Sequence, residues 1–197
     1  GYRFPNISGK EGRFDIINNV VWRSSSRLIR GNGDYSVNHI GNYYNYTDFG
    51  INDLRIHLHR FGYVPQIYTV DNKIVAQSQG TPLISTIAEM NADNTLSWKF
   101  FQDGGGFLYG DQLPANYFTN TQHALLGEAY NILTADEAYE QIPQDVGCNA
   151  RLNSDGTVSS NLDVLDAEWI DNVVNGVFAP RLLSSEYNVP AITSVSR

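Results

Sequence analysis

Apolar residues along this chain come in short runs bounded by Gly, Ser or Asn, and two of the runs carry asparagine at matching places. They are Phe14-Asp-Ile-Ile-Asn18-Asn19-Val-Val21 and Asn38-His-Ile-Gly-Asn42-Tyr-Tyr-Asn45. Laying Ile17-Asn-Asn-Val-Val21 over Ile40-Gly-Asn-Tyr-Tyr44 sets them 23 residues apart. A strand-length apolar run recurring at that period predicts strands stacked on strands, as in a parallel β-helix. Residues 14–22 and 35–46 are expected as short strands, with Ser24 to Arg30 supplying another before the Gly31-Asn-Gly33 turn. Asn18, Asn19 and Asn42 are expected to stack into an internal ladder in which side-chain amides satisfy one another, a structural role rather than a catalytic one.

Ile56-His-Leu-His59 alternates, as does Tyr63 to Val75 around a turn at Asp71-Asn72-Lys73, so residues 1–80 are expected to hold the last strands of the stack. Residues 81–197 read as a loop-rich tail of the same domain. Pro82 to Phe101 has no clear period, and Gly104-Gly-Gly106 is a turn lacking the lysine and spacing of a phosphate-binding loop. Thr134-Ala-Asp-Glu137 is a capping box that opens a helix through Gln141, which Pro143 limits or kinks and for which Gly147 offers a stop. Asp166 to Asn175 places Trp169, Ile170, Val173 and Val174 on one helical face, with Gly176 as terminator. Two short helices are thus expected to pack over the side or open end of the stack, where strand edges need cover. The fold class is all-β with a short helical tail.

The length of 197 residues suits one domain, and twelve Tyr and nine Phe among plentiful Asn and Gly favour a turn-rich β chain over a helical bundle. No apolar run reaches the roughly 18 residues that cross a bilayer. Cys148 is alone, so it forms no disulfide within the chain and is expected as a buried thiol. The net charge of −8 conceals an asymmetry. Residues 1–62 hold eight Lys/Arg against five Asp/Glu, a balance of +3, whereas residues 63–197 hold five against sixteen, a balance of −11. A basic end suits an anionic sugar polymer, which cations concentrate and orient. The acidic chain as a whole argues against nucleic acid.

The segment from Arg3 to Asn45 resembles secreted pectate lyases and related polysaccharide lyases, which are right-handed parallel β-helices with an Arg-x-Pro motif at the catalytic centre. In that family the motif is commonly Arg-x-Pro-x-x-Arg, followed by a strand ending in Asn-Asn-Val/Ile. Arg3-Phe-Pro5 and Asn18-Asn19-Val20-Val21 match it, while Ser8 stands at the second arginine and leaves that contact to Lys10 or Arg13. Ile132 to Gly176 is similar, more loosely, to the helical tail of bacterial relatives. The resemblance implies a secreted lyase that cleaves a polyuronate such as pectate by β-elimination, with Arg3 as the base and Pro5 holding its turn. It also implies calcium, held by carboxylates upstream of Gly1. The chain is then the carboxyl-terminal part of a longer β-helix, inactive without its amino-terminal portion.

Elimination needs a base at C5 of the uronate, beside a carboxylate whose charge opposes the developing enolate-like anion. A free guanidinium has a pKa above about 12, so only neighbouring cations fit an arginine to that work. Lys10, Arg13, Arg23, Arg27 and Arg30 are the candidates for sugar-carboxylate contacts. Other chemistries are thinner. His57 and His59 alternate on a strand, but no third or fourth metal ligand accompanies them. Asp155, Asp163 and Asp166 match no EF-hand loop and read as capping and solvated residues. No Gly-x-Ser-x-Gly elbow marks a serine hydrolase, and a two-carboxylate glycoside hydrolase stays open because sequence does not give carboxylate separations. The alternative from another class is a non-catalytic extracellular β-helix that binds glycan or serves structurally.

Overall fold

In a computed structural model the described residues are 2–3, 7–24, 28–46, 57–76, 83–101, 112–127, 131–145, 150–160, 162 and 164–176. Nine strands come first: β1 (Tyr2–Arg3), β2 (Ile7–Ile17), β3 (Val20–Ser24), β4 (Ile29–Gly31), β5 (Gly33–Ile40), β6 (Tyr43–Tyr46), β7 (His57–Arg60), β8 (Gln66–Val70) and β9 (Lys73–Ala76). Helix α1 (Leu83–Ala92) and a 3-10 turn at Asn94–Ser97 precede β10 (Trp98–Phe101). A 3-10 turn at Ala115–Tyr117, helix α2 (Ala135–Asp145), the hairpin strands β11 (Ala150–Leu152) and β12 (Val158–Ser160), and helix α3 (Val164–Val174) follow.

Each of the first seven strands pairs in parallel with the strand three places later. Sheet one is β1-β4-β7-β10, sheet two β2-β5-β8 and sheet three β3-β6-β9. Parallel strands of this kind are joined by crossings that visit the other sheets in turn, which is why neighbours in sequence lie in different sheets. The 23-residue spacing is the register itself: Ile17 pairs with Ile40, Val20 with Tyr43 and Val21 with Tyr44. The chain is all-β in its main body, with few short helices.

The three sheets turn one face each to a shared interior. Ile29 and Trp98 of sheet one pack with Ile16, Tyr35, Val37 and Ile67 of sheet two and with Leu113. Tyr44 and Ile74 of sheet three pack with Leu28 and with Ile87 and Met90 of α1. At the corner between sheets two and three the chain makes the same turn three times. Asn18 (φ 55°), Gly41 (φ 61°) and Asp71 (φ 56°) occupy the left-handed region that Asn, Gly and Asp tolerate, and each is followed by an inward asparagine.

Together with Asn94, those three asparagines form a ladder of four. The amide of Asn19 donates to Asn42 Oδ1 at 2.8 Å, that of Asn42 to Asn72 Oδ1 at 2.7 Å and that of Asn72 to Asn94 Oδ1 at 3.2 Å. Each acceptor oxygen also takes the backbone N–H of the preceding rung, at 3.0, 3.1 and 2.8 Å. Asn18 stands outside the ladder: its amide donates to Asn131 O and its oxygen accepts from Leu133 N.

The tail departs from the expected plan in several places. The parallel pairing continues past residue 80, since β10 adds a fourth strand to sheet one. Three α-helices rather than two lie among the described residues, α1 falling where no helical period was evident. Helix α2 runs through Pro143 as far as Asp145. Of the four apolar residues expected on one buried face of α3, Ile170 and Val173 are partly buried, while Trp169 and Val174 are more than half exposed. Helix α3 rests on α2, where Tyr139 Oη donates to Val173 O at 2.6 Å. Cys148, Gly104 to Gly106 and Gly147 lie outside the described residues.

Between β10 and α2 the chain covers the stack. Gln112 bridges Lys99 on β10, Phe118 bridges Ile67 on β8, residues 119–127 then cross the outer face of sheet two, and Leu133 meets Asn18. Lys99, Ile67 and Asn18 thus belong to contacts that bring the tail back over the strands. No described helix is long and apolar enough to cross a membrane.

Candidate functional site

Register, not sequence distance, decides which cations meet. In sheet one Arg3 pairs with Arg30, Arg30 with Leu58 and Leu58 with Lys99. One position along, Ile29, His57 and Trp98 form the neighbouring column and are buried in the interior. Since successive residues of a strand face opposite ways, Arg30, Leu58 and Lys99 share the other face of the sheet, where Leu58 is itself buried, with Arg60 and the buried Phe101 two positions further on. Strands β4, β7 and β10 carry Arg30, Arg60 and Lys99 and no acidic residue.

Neutral groups are among the contacts of these cations. The Arg30 guanidinium lies 4.4 Å from the centre of the Phe101 ring, a geometry that stabilises a cation without cancelling its charge. Lys99 Nζ donates to Gln112 Oε1 at 3.1 Å. Arg60 donates to Asn32 Oδ1 at 3.3 Å and lies 5.9 Å from the Tyr63 ring.

The other candidates separate from it. Arg13 belongs to sheet two, where its guanidinium donates to Ala124 O of the crossing segment. Asp15, two residues on, accepts from Asn38 Nδ2 and from Leu126 N. For Arg3 only the strand position is described, as for Lys10 and Arg23, whose side chains lie outside the described residues together with Pro5 and Arg27. Arg60 and Lys99 were not singled out in the sequence. Their signal was parity, since Arg60 shares that of Leu58 on a strand whose histidines turn inward.

Inside the stack sits a polar aromatic cluster. His39, His57 and His59 are fully buried. His59 Nε2 lies 2.9 Å from Tyr63 O, and because a carbonyl only accepts, that nitrogen carries the proton. Nδ1 is then the acceptor for the Tyr35 hydroxyl at 3.2 Å. His39 lies 3.0 Å from Thr69 Oγ1 and 2.7 Å from Tyr44 Oη. The His39 and His57 rings meet edge-on at 4.6 Å, and His57 lies 5.0 Å from Trp98. Burial pushes His39 down to about 3, and His59 to about 4 against the opposing pull of its Tyr63 hydrogen bond and Asp34. Burial, then the neighbouring His39, holds His57 well below the usual imidazole value. These rings are neutral packing elements.

Calcium does not fit the residues described. No group of three or more His, Cys, Asp or Glu among them is placed to hold a metal ion, and a face of Arg30, Arg60 and Lys99 repels a divalent cation. Comparison with protein-family models, with curated proteins and with solved structures finds no match.

Proposed function

We propose that this chain is part of a secreted polysaccharide lyase that cleaves a polyuronate such as pectate by β-elimination, and that its stack is the terminal stretch of a right-handed parallel β-helix. The recurrence of every strand three places later, with an asparagine at each repeated corner, supports the second statement. The observation that carries the first is the register of Arg3 on Arg30 in a column whose next cation is Lys99.

In this reading Arg3 takes the proton from C5 of the uronate. The electron pair left on C5 forms the C4–C5 double bond as the C4–oxygen bond breaks, and the leaving oxygen takes up a proton from solvent. Arg30 and Lys99 neutralise the carboxylate beside C5, which lowers the cost of charge there and raises the acidity of the C5 hydrogen. The partners are an acidic polysaccharide and the amino-terminal portion of the enzyme.

A second reading, a non-catalytic glycan-binding module, is favoured by one feature: strands β4, β7 and β10 carry three cations and no acid, and cations retain a polyanion whether or not it is cleaved. The test is ultraviolet absorbance of unsaturated products from polygalacturonate, using the chain joined to its amino-terminal portion. Lyase activity lost in Arg3→Ala with substrate still bound supports elimination. Binding without product in the unaltered protein supports the module, and neither binding nor product removes both readings.

A further inference from the structure

We propose that Asn175, in the Asn175-Gly176 pair that follows α3, is a self-modification site: it loses ammonia without an enzyme to become aspartate or isoaspartate, and the new carboxylate loosens α3 from α2. The inference is independent of the lyase reading.

Asparagine followed by glycine is the dipeptide most open to this reaction, because glycine has no Cβ to hinder its backbone nitrogen as that atom approaches the carboxamide. The sequence holds two such pairs, Asn32-Gly33 and Asn175-Gly176. Packing distinguishes them. Gly33 is buried and opens β5 in register with Ile7 of β2, while Asn32 Oδ1 accepts from Arg60 at 3.3 Å. Asn175 is exposed, one residue past the end of α3, and nothing lies within 4 Å of where a Cβ on Gly176 would stand. The Gly176 N–H is weakly held as well. It donates to Val173 O at 3.3 Å, and that carbonyl also accepts from Tyr139 Oη at 2.6 Å. Helix ends of this kind fray, which frees the Asn175 backbone to bring the two reacting atoms together.

The step balances with water as its only co-reactant. Solvent base takes the Gly176 amide proton, and the nitrogen attacks Asn175 Cγ. A five-membered succinimide closes as the Cγ–Nδ2 bond breaks and ammonia departs. Water then opens either ring carbonyl, giving aspartate by one route and isoaspartate by the other.

Helix α3 registers the product. In the unmodified chain Asn175 Nδ2 donates to Asp171 Oδ1 at 2.6 Å, one helical turn back. After the reaction two carboxylates meet at that i,i+4 spacing, at the negative end of the helix dipole. The isoaspartate form also inserts a methylene into the backbone ahead of Gly176, which shifts its N–H away from Val173 O. Val173 O is the acceptor that ties α3 to Tyr139, whose ring stacks on Tyr43 of sheet three at 4.3 Å. The modification therefore strikes the contact through which α3 reaches the stack.

The test is to age the intact chain in mildly alkaline buffer and to follow both pairs by peptide mass spectrometry and isoaspartyl methyltransferase labelling. Asn175 should convert about tenfold or more faster than Asn32, the ratio set by a barrier about 1.4 kcal/mol lower. Asn175→Gln, whose longer side chain closes no five-membered ring, should abolish labelling at that position. Asn175→Asp should speed amide hydrogen exchange across α3, and the same change should have less effect in an Asp171→Ala background. An Asn175 that stays an amide, or converts no faster than Asn32, overturns the site. Exchange across α3 that is unchanged in Asn175→Asp overturns the loosening of α3.

Discussion

Gly41 faces the backbone carbonyl of Leu133 so closely that a Cβ on the glycine would overlap the oxygen. The two residues belong to distant parts of the chain, the corner between sheets two and three and the segment leading into α2. Gly41 also has φ +61°, where an added Cβ is strained by itself. Gly41→Ala should therefore lower stability by about 3 kcal/mol. Gly62→Ala is the control: its φ is +96° but nothing lies within 4 Å of the new methyl group, so it should lose only about 1 kcal/mol. Urea unfolding of the two variants checks the difference.

Asn72 is the third rung of the amide ladder and is only 5% exposed. Replacing it by leucine removes the acceptor for Asn42 N and Nδ2 and the donor to His39 O. Buried groups left without partners cost more than the bonds they lose, so Asn72→Leu should lower stability by about 3 kcal/mol or more. Asn94→Leu strips only the terminal rung and should cost less. Equal losses in thermal melts of the two would contradict the ladder as the unit of stability.

Acid should weaken the fold through its interior histidines. An imidazole ordinarily titrates near 6.5, whereas His39 and His59 in the native chain do so near 3 and 4. The unfolded chain thus binds more protons below 6.5, and stability that is complete above that pH declines as pH falls toward 4 and 3. Each histidine removes about 1.4 kcal/mol per pH unit across its window. Substituting His57 by phenylalanine, which also abolishes its unpartnered Nδ1, should make the decline shallower. Denaturation midpoints between pH 7 and 4 measure it.

The contact between Lys73 and Asp136 is short, 2.7 Å, yet both side chains are well exposed. Solvent and salt screen such pairs, so Lys73→Met should change stability by less than about 1 kcal/mol. Thr134→Ala should cost about 1 kcal/mol, because it dismantles the reciprocal cap in which Thr134 N donates to Glu137 and Glu137 N to the threonine hydroxyl. Helical circular dichroism with chemical unfolding ranks the two.

Parallel strand stacking was legible because the first repeat preserves its length: Ile17 and Ile40 are paired residues and Asn19 and Asn42 paired amides. The later rungs were hidden because the spacing changes, from 23 residues to 30 and then 22. What stays constant is a residue tolerant of positive φ before the first three asparagines, namely Asn18, Gly41 and Asp71, a signal of backbone geometry rather than hydrophobic period. Helix α1 was hidden because Leu83-Ile-Ser-Thr-Ile87 contains β-branched residues that favour strands, and packing of Ile87 and Met90 on Tyr44 and Ile74 overrides that preference. The cations illustrate the limit at the site. Arg13 and Arg30 are equivalent as letters, and only pairing assigns them to different sheets, one toward a backbone carbonyl and the other beside Arg3.

Where sheet three ends, Asn91 of α1 imitates a missing strand: its amide donates to Ile74 O at 2.9 Å and its oxygen accepts from Ile74 N at 2.8 Å. An unprotected rim of this kind recruits the backbone of a neighbouring molecule. One carboxamide thus works as a stopper against polymerisation, and Asn91→Leu should form fibres, visible as thioflavin fluorescence and light scattering at concentrations where the parent stays clear.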